Sequence, residues 1–381
     1  MERLIFLTLS LTKGGAERVI CNLCNGHFVR HYRVTVISLM AAKPEYALDS
    51  AVEVLYVDRS REQYTQNMAL RFARRRKRLS SLLRRVEKRK EKTGVLISFL
   101  PEPNFLITSL PKREYPVIIS VRNDPAKEYA SRIRRMLMKK LYPRADGYVF
   151  QTGQAREYFS FSRKITEDSV VIPNPLAKEF LDVPSSAMSR KEIVAVGRLE
   201  AQKAPLLLIR AFARIHKSYP EYRLLFYGEG SMREEMEALI GKEGLEQNVE
   251  IKGNTDDIFD AVGKASLFVL PSVYEGMPNA LLEAMALGVP CIATDCPCGA
   301  PRELIRSGEN GVLVPVGEEG KLTEAMAFLL KGPERAARMG RSAQEITKRL
   351  APERIYQEWD RLIEARRSSR GKREQKNSGR K

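Results

Sequence analysis

A chain of 381 residues exceeds one ordinary domain and suits two, each large enough to bury its own core. Its five cysteines give neither a disulfide ladder nor two pairs at zinc spacing, and Cys21 and Cys24 fall where an amphipathic helix is expected, which sets aside disulfide-scaffold, redox and zinc classes and fits a reducing, cytoplasmic setting. The formal charge of +18 sits in two appendages, Arg71 to Lys92 with twelve basic and two acidic residues and Arg366 to Lys381 with eight and one, so the body of the protein is close to neutral and the appendages call for a polyanion, either nucleic acid or an anionic membrane.

The apolar run from Leu4 to Leu11 is too short and too poorly flanked for a signal peptide and reads as a first strand. No run approaches the roughly eighteen apolar residues of a membrane-crossing helix. Short β-branched runs then alternate with helical patterns, the signature of parallel sheets covered on both faces. Strands are predicted at Leu4 to Leu9, Val34 to Leu39, Val54 to Val57, Val95 to Phe99, Val117 to Ser120 and Gly147 to Phe150. The order restarts after Pro173-Asn174-Pro175, whose prolines restrict the backbone into a stiff hinge, and a polar stretch ending near Arg190. The second series is Ile193 to Val196, Leu224 to Tyr227, Val249 to Ile251, Leu267 to Leu270, Cys291 to Ala293 and Val312 to Val314. The expected division is therefore an N-terminal α/β domain over 1–175, a second over 190–350, a helix over 351–365 whose Ile355, Trp359 and Ile363 form an apolar stripe, and a basic disordered tail over 366–381.

Ligands of open parallel sheets bind beyond the carboxyl ends of the strands, so the loops there carry the argument. After the first strand, Thr12-Lys13-Gly14-Gly15-Ala16-Glu17-Arg18 places paired glycines before a helix, where backbone N–H groups can approach an anion; a plain tight turn would use the same glycines. After the first strand of the second half, Gly197-Arg198-Leu199-Glu200-Ala201-Gln202-Lys203 sets two cations, Arg198 and Lys203, five residues apart, as a diphosphate clamp requires and as two solvated charges would also satisfy. The third loop runs from Pro271 through Glu275, Gly276, Met277, Pro278, Asn279 and Ala280 into a helix bearing Glu283. Such a helix N-terminus attracts phosphate, and Glu283 can accept hydrogen bonds from ribose hydroxyls.

Gly14 to Arg18, Gly197-Arg198-Leu199 with Lys203 following, Gly228-Glu229-Gly230, and Glu275 eight residues before Glu283 together resemble the retaining glycosyltransferases of family 4 over nearly all of Leu4 to Glu364. The resemblance implies the GT-B fold: two Rossmann-like doubly wound domains facing a central cleft, with the C-terminal helix crossing back to the N-terminal domain. It also implies a nucleotide-sugar donor, UDP-linked, held mainly by the second domain. Arg198 and Lys203 would hold the diphosphate, Glu283 the ribose and Glu275 the donor sugar at the reacting centre. Backbone groups of Met277, Pro278, Asn279 and Ala280 would touch sugar and phosphate, Gly228 would line the donor side, and Gly14 and Gly15 would close from the other domain. Relatives by resemblance are bacterial enzymes of polysaccharide and lipid-linked oligosaccharide synthesis, which implies a glycan or polyprenyl-diphosphate-linked acceptor. The family's front-face mechanism, in which the leaving phosphate helps deprotonate the acceptor, needs no protein nucleophile.

No Asp-x-Asp occurs in the chain, so neither a metal nor another cofactor is expected and protein cations must neutralise the leaving diphosphate. Many family members carry a histidine after the fifth strand; here Val121-Arg122-Asn123-Asp124 stands there, and the histidines are His27, His31 and His216. Asp124 is the candidate acceptor-side base and Arg122 a candidate phosphate or acceptor contact. Phe72, Leu79, Leu83 and Val86 would share one face of a basic helix, and Arg74, Arg75, Arg76, Lys77 and Arg78 on it are candidates for meeting the acceptor or an anionic membrane at the inner face of the plasma membrane. A second basic patch, Arg132, Arg134, Arg135, Lys139, Lys140 and Arg144, interleaves with Ile133, Met136, Leu137 and Leu141. In each case the apolar residues could equally pack on the sheet. The rival functions are a nucleotide-sugar epimerase of the same fold and a nucleic-acid binder; for the second, the basic segment lacks interleaved aromatics beyond Phe72 and no recognition motif is present.

Overall fold

The strands are near-continuous apolar runs, the pattern expected when helices cover both faces of a parallel sheet. The computed structural model describes residues 1–12, 14–58, 67–89, 92–184, 188–255 and 257–378, with side chains through 370. Lys13, Lys90 and Glu91 of the segments singled out above lie outside the described residues, as do Arg380 and Lys381.

Two compact units divide the chain: Met1–Pro175 with Pro352–Lys381, and Leu176–Ala351. In the first, β1 (Arg3–Thr8), β2 (Arg33–Ser38), β3 (Glu53–Tyr56), β4 (Thr93–Phe99), β5 (Val117–Ser120), β6 (Gly147–Phe150) and β7 (Ser169–Val171) form one parallel sheet in the order β3-β2-β1-β4-β5-β6-β7. Its helices include α1 (Gly15–Leu23), α2 (Met68–Glu87), α3 (Pro101–Ser109), α4 (Pro125–Glu128) and α5 (Arg132–Leu141). In the second unit, β8 (Arg190–Val196), β9 (Arg223–Tyr227), β10 (Val249–Gly253), β11 (Ala265–Leu270), β12 (Cys291–Thr294) and β13 (Val312–Val314) give the order β10-β9-β8-β11-β12-β13. Helices α6 (Pro205–His216) and α7 (Asn279–Ala286) belong to this unit, and α8 (Pro352–Ser378) returns to the first. Both orders reverse beside their first strand, between β1 and β4 and between β8 and β11, the switch points where doubly wound sheets bind ligands.

The first core is built on β1, where Leu4, Ile5, Phe6 and Leu7 are fully buried. Phe6 contacts Phe28 and Phe99 with ring centroids 5.8 and 6.0 Å apart. Trp359 of α8 finds the surface its stripe requires by stacking on Phe99 at 6.1 Å, while His27 Nε2 and Asp360 Oδ2 pair at 2.7 Å. The second core joins Leu208 and Phe212 of α6 to Phe226, Leu267, Val269 and Met326.

Two expectations need correction. A short strand, β7, was not anticipated: Ser169-Val170-Val171 is half-buried and only three residues long, so it carries no alternation to detect. The segment from Arg366, which composition assigns to disorder, continues α8 to Ser378. Arg366 pairs with Asp168, and Arg370 donates to the Tyr115 carbonyl at 3.0 Å and pairs with Asp146 at 3.3 Å, so fixed carboxylates of the first unit hold cations that look unpartnered in sequence.

Candidate active site

The loops after β8 and β11 meet at the switch point of the second sheet. Glu200 opens a short turn over Ala201–Lys203, and Ala204, in the left-handed region at φ +46°, redirects the chain into α6 with Pro205 in its first turn. Gln202 fastens this loop to the next: it donates through Nε2 to the Tyr274 carbonyl at 2.9 Å and accepts from the Val273 N–H at 2.8 Å. Lys203 is thereby brought to Glu275, its Nζ 2.5 Å from Oε1, and Ser272 Oγ donates to the same oxygen at 2.6 Å. Glu275 is only 5 % exposed, so the carboxylate is held by a cation and a hydroxyl rather than by water. Ser272 is held in turn by Thr294, whose hydroxyl donates to the Ser272 carbonyl at 2.5 Å.

Arg198 lies across the same loop, exposed, with Nη2 3.4 Å from Gln202 Oε1. Gly197, Arg198, Lys203, Pro205, Val269 and Pro271 line a small cavity at the strand ends. Gly228 is fixed by close approach: its φ is +146°, and a Cβ there would stand 1.9 Å from the Gly197 carbonyl oxygen. Met277 and Pro278 are buried, and Pro278 is the N-cap of α7, a residue with no polar side chain to cap the helix. Asn279 and Ala280 form the half-buried first turn, and Glu283 lies one turn on, buried. The structure thus gathers Arg198, Lys203, Gly228, Glu275, Met277, Pro278, Asn279, Ala280 and Glu283 beyond the ends of three neighbouring strands, β9, β8 and β11, with a cation–carboxylate pair next to a helix N-terminus that favours anions.

In the first unit, Gly14 is the N-cap of α1, and the missing Cβ matters because Glu17 Oε2 would stand 2.3 Å from it. Glu17 is buried and accepts from Ser10 Oγ at 3.3 Å, and Gly15 is exposed. Asp124 caps α4, its Oδ1 accepting from the Ala126 N–H at 2.9 Å, while its buried Oδ2 has no partner among the described residues. Glu128, one turn along and missed in the sequence, likewise has an enclosed and unpartnered Oε2. Burial first, then the charge of Asp124, pushes its carboxyl up to about 8.

Arg122 is buried and bonded within its own unit. Its guanidinium is buried against the Phe99 ring at 4.9 Å and donates to Asn174 Oδ1, which also accepts from Gln151 Nε2 at 2.7 Å. Burial pushes it down to about 9. The basic run of α2 also divides. Arg75 is buried, 2.7 Å from both Asp58 and Glu102, and Arg78 reaches Asp58 at 3.5 Å. Arg76 donates to Ser109 at 3.2 Å, and Arg74 and Lys77 are exposed. Leu79, Leu83 and Val86 are buried, so this stripe packs inward and Arg75 serves the fold rather than a partner.

The second half, residues 178–346, matches the family pattern described as glycosyl transferases group 1, and residues 13–180 match that described as glycosyltransferase family 4. A Campylobacter jejuni GalNAc-alpha-(1->4)-GalNAc-alpha-(1->3)-diNAcBac-PP-undecaprenol alpha-1,4-N-acetyl-D-galactosaminyltransferase is 26 % identical over 368 residues, covering 95 % of this chain and 98 % of that one. A second transferase of that organism, acting on N-acetylgalactosamine-N,N'-diacetylbacillosaminyl-diphospho-undecaprenol, is 28 % identical over 348 residues, covering 87 % and 91 %. Among solved structures, Anabaena HepE in complex with UDP superposes with a TM-score of 0.76 at 18 % identity over 96 % of this chain and all of that one. Sucrose-phosphate synthase from Thermosynechococcus elongatus does so at 0.81 and 17 %, over 96 % and 99 %. Two doubly wound parallel sheets, a cation–carboxylate pair at the second switch point and two adjoining family matches place this chain among the family 4 glycosyltransferases of the GT-B fold.

Proposed function

We propose that the protein transfers a sugar from a UDP-linked sugar to a polyprenyl-diphosphate-linked glycan in bacterial cell-surface polysaccharide or glycoconjugate synthesis, with retention of configuration and without a metal or other cofactor. The observation that carries the reading is the Lys203–Glu275 pair at 2.5 Å, a fixed cation and a buried carboxylate beside the N-terminus of α7. The acceptor class is supported by the names of the two Campylobacter relatives, and the donor nucleotide by the UDP that HepE holds.

In this reading Arg198 and Lys203 stabilise the diphosphate as it leaves, together with the first-turn N–H groups of Asn279 and Ala280. Glu283 accepts from the ribose hydroxyls and Glu275 from the sugar. The bond from the anomeric carbon to the diphosphate oxygen breaks as the acceptor oxygen bonds on the same face, and the departing oxygen takes the acceptor proton. Asp124, whose Oδ2 has no partner among the described residues, is the candidate to assist that transfer. Gly14 and Gly15 offer backbone N–H groups to the donor. No helix among the described residues is long and apolar enough to cross a membrane, and the enzyme is proposed to work as a cytoplasmic protein on the inner face of the plasma membrane.

The deciding experiment is a screen of nucleotide sugars for thermal stabilisation and turnover, followed by transfer to a lipid-linked acceptor with the new linkage assigned by NMR. An α-linked product from an α-linked donor is expected. Epimerised nucleotide sugar formed with no acceptor present would replace the transferase reading, and a chain that no nucleotide sugar stabilises would overturn it.

A further inference from the structure

Helix α5, Arg132–Leu141, buries one residue, Met138. Ile133, Met136 and Leu137 are 69 %, 62 % and 38 % exposed. At about 100° per residue they lie on the side of the helix turned away from Met138, so the apolar edge points outward from the domain. Lys140 emerges within that edge, Arg132, Arg135 and Lys139 flank one side and Arg134 the other, and no acidic residue occurs in the helix. The element is well defined at its start, where Ser131 Oγ accepts from the Arg134 N–H at 3.2 Å. Its cations meet mostly neutral groups: Arg134 and Arg135 donate to the carbonyls of Glu128 and Ala130 at 3.4 and 3.0 Å, and Lys139 Nζ stands 5.1 Å over the exposed Phe161 ring.

Exposed aliphatic side chains on a helix this basic are costly in water and need a partner that takes both parts. A second copy would place two cationic faces against each other, because a two-fold interface pairs a patch with itself. Nucleic acid would use the cations but gains no base stacking from Ile, Met and Leu. An anionic bilayer accepts aliphatic groups at the acyl boundary and Lys and Arg at the phosphates above it. We infer that α5 is the element that seats the protein on an anionic bilayer, with Ile133, Met136 and Leu137 entering the headgroup–acyl boundary and Arg132, Arg135, Lys139 and Lys140 meeting lipid phosphates. The inference deepens the lipid-linked acceptor reading and rests on it for its purpose. It moves the anchor away from α2, whose Leu79, Leu82, Leu83 and Val86 are buried.

The test is co-sedimentation of the full chain with phosphatidylcholine vesicles with and without phosphatidylglycerol. Binding is expected only with phosphatidylglycerol. Ile133→Ser/Met136→Ser/Leu137→Ser and, separately, Arg132→Gln/Arg135→Gln/Lys139→Gln/Lys140→Gln should each lower it by about tenfold or more. Thermal unfolding of both variants should match the parent, since all seven side chains are exposed. Undiminished vesicle binding by the triple serine variant overturns the inference, as does a variant that loses only self-association or capture of an acidic protein. A parent chain that ignores anionic vesicles also overturns it, while nucleotide-sugar turnover, measured without lipid on the same preparations, reports separately on the proposed function.

Discussion

Lys203 and Glu275 stand 72 positions apart in the chain, and their side chains meet at 2.5 Å because they follow strands that are neighbours in the sheet. Removing Lys203 leaves Glu275 buried with one neutral donor, Ser272. Lys203→Ala is therefore expected to lower both the melting temperature and kcat/KM, the latter by roughly 2–4 kcal/mol of transition-state stabilisation. Arg198→Ala, at an exposed position, should lose a similar share of kcat/KM with little change in melting temperature. Near-parental kcat/KM in both variants would remove the diphosphate clamp from the mechanism.

Glu275→Gln should lower kcat more than it weakens binding of the free nucleoside diphosphate, whereas Glu283→Gln should chiefly weaken that binding. The reason is placement: Glu275 sits against Lys203 in the loop and Glu283 on α7. Calorimetric titration of UDP against both variants checks the assignment, and the opposite pattern would exchange the two roles.

Excess EDTA should leave transfer activity unchanged if protein cations alone neutralise the leaving diphosphate. Loss of activity that a divalent ion restores would require a metal in the mechanism.

The Glu128 carboxyl, pushed up from 4.5 to about 8, is more readily protonated in the folded chain than in the unfolded one. Between those values the folded state binds more protons, so its stability should fall as pH rises from about 4.5 to 8 and level off above. Glu128→Gln should flatten that slope. Denaturant unfolding across the range checks it, and an unchanged slope in the variant would assign the pH dependence to other groups.

Arg75→Ala should destabilise the first unit by about 3–5 kcal/mol, because it takes the cation from Glu102 and leaves buried Asp58 with Arg78 alone, at 3.5 Å. Replacing Arg74, Arg76 and Lys77 together by Gln should leave the fold intact and reduce transfer to lipid-linked acceptors while sparing nucleotide-sugar hydrolysis. Equal losses on lipid-linked and soluble acceptors would argue against a lipid-directed role for α2.

The strands and the second-unit loops were legible because parallel strands are apolar runs and because glycines, cations and acids cluster after them. What stayed hidden depends on helical phase and long-range partners. Arg75 cannot be told from Arg74 or Arg76 in sequence, since its burial follows from carboxylates 17 and 27 positions away. Helices α2 and α5 both interleave aliphatic residues with Arg and Lys, yet Leu79 and Leu83 are buried and Ile133 and Met136 are exposed. Periodicity identifies a stripe without saying which way it faces. A serine after a strand has many uses, and only the 2.6 Å approach of Ser272 to Glu275 gives it one.

The return of α8 to the first unit imposes an order on biosynthesis. A ribosome releases Met1–Pro175 and then the whole of Leu176–Ala351 before it makes Trp359. During that interval Phe99 has no ring from α8 to stack on, and Asp168 and Asp146 lack the arginines of α8. The second unit, continuous in sequence, can complete its core while the first still waits for its last helix. The nascent chain therefore passes through a stage in which the second unit is finished and the first still presents an apolar surface for a chaperone to cover.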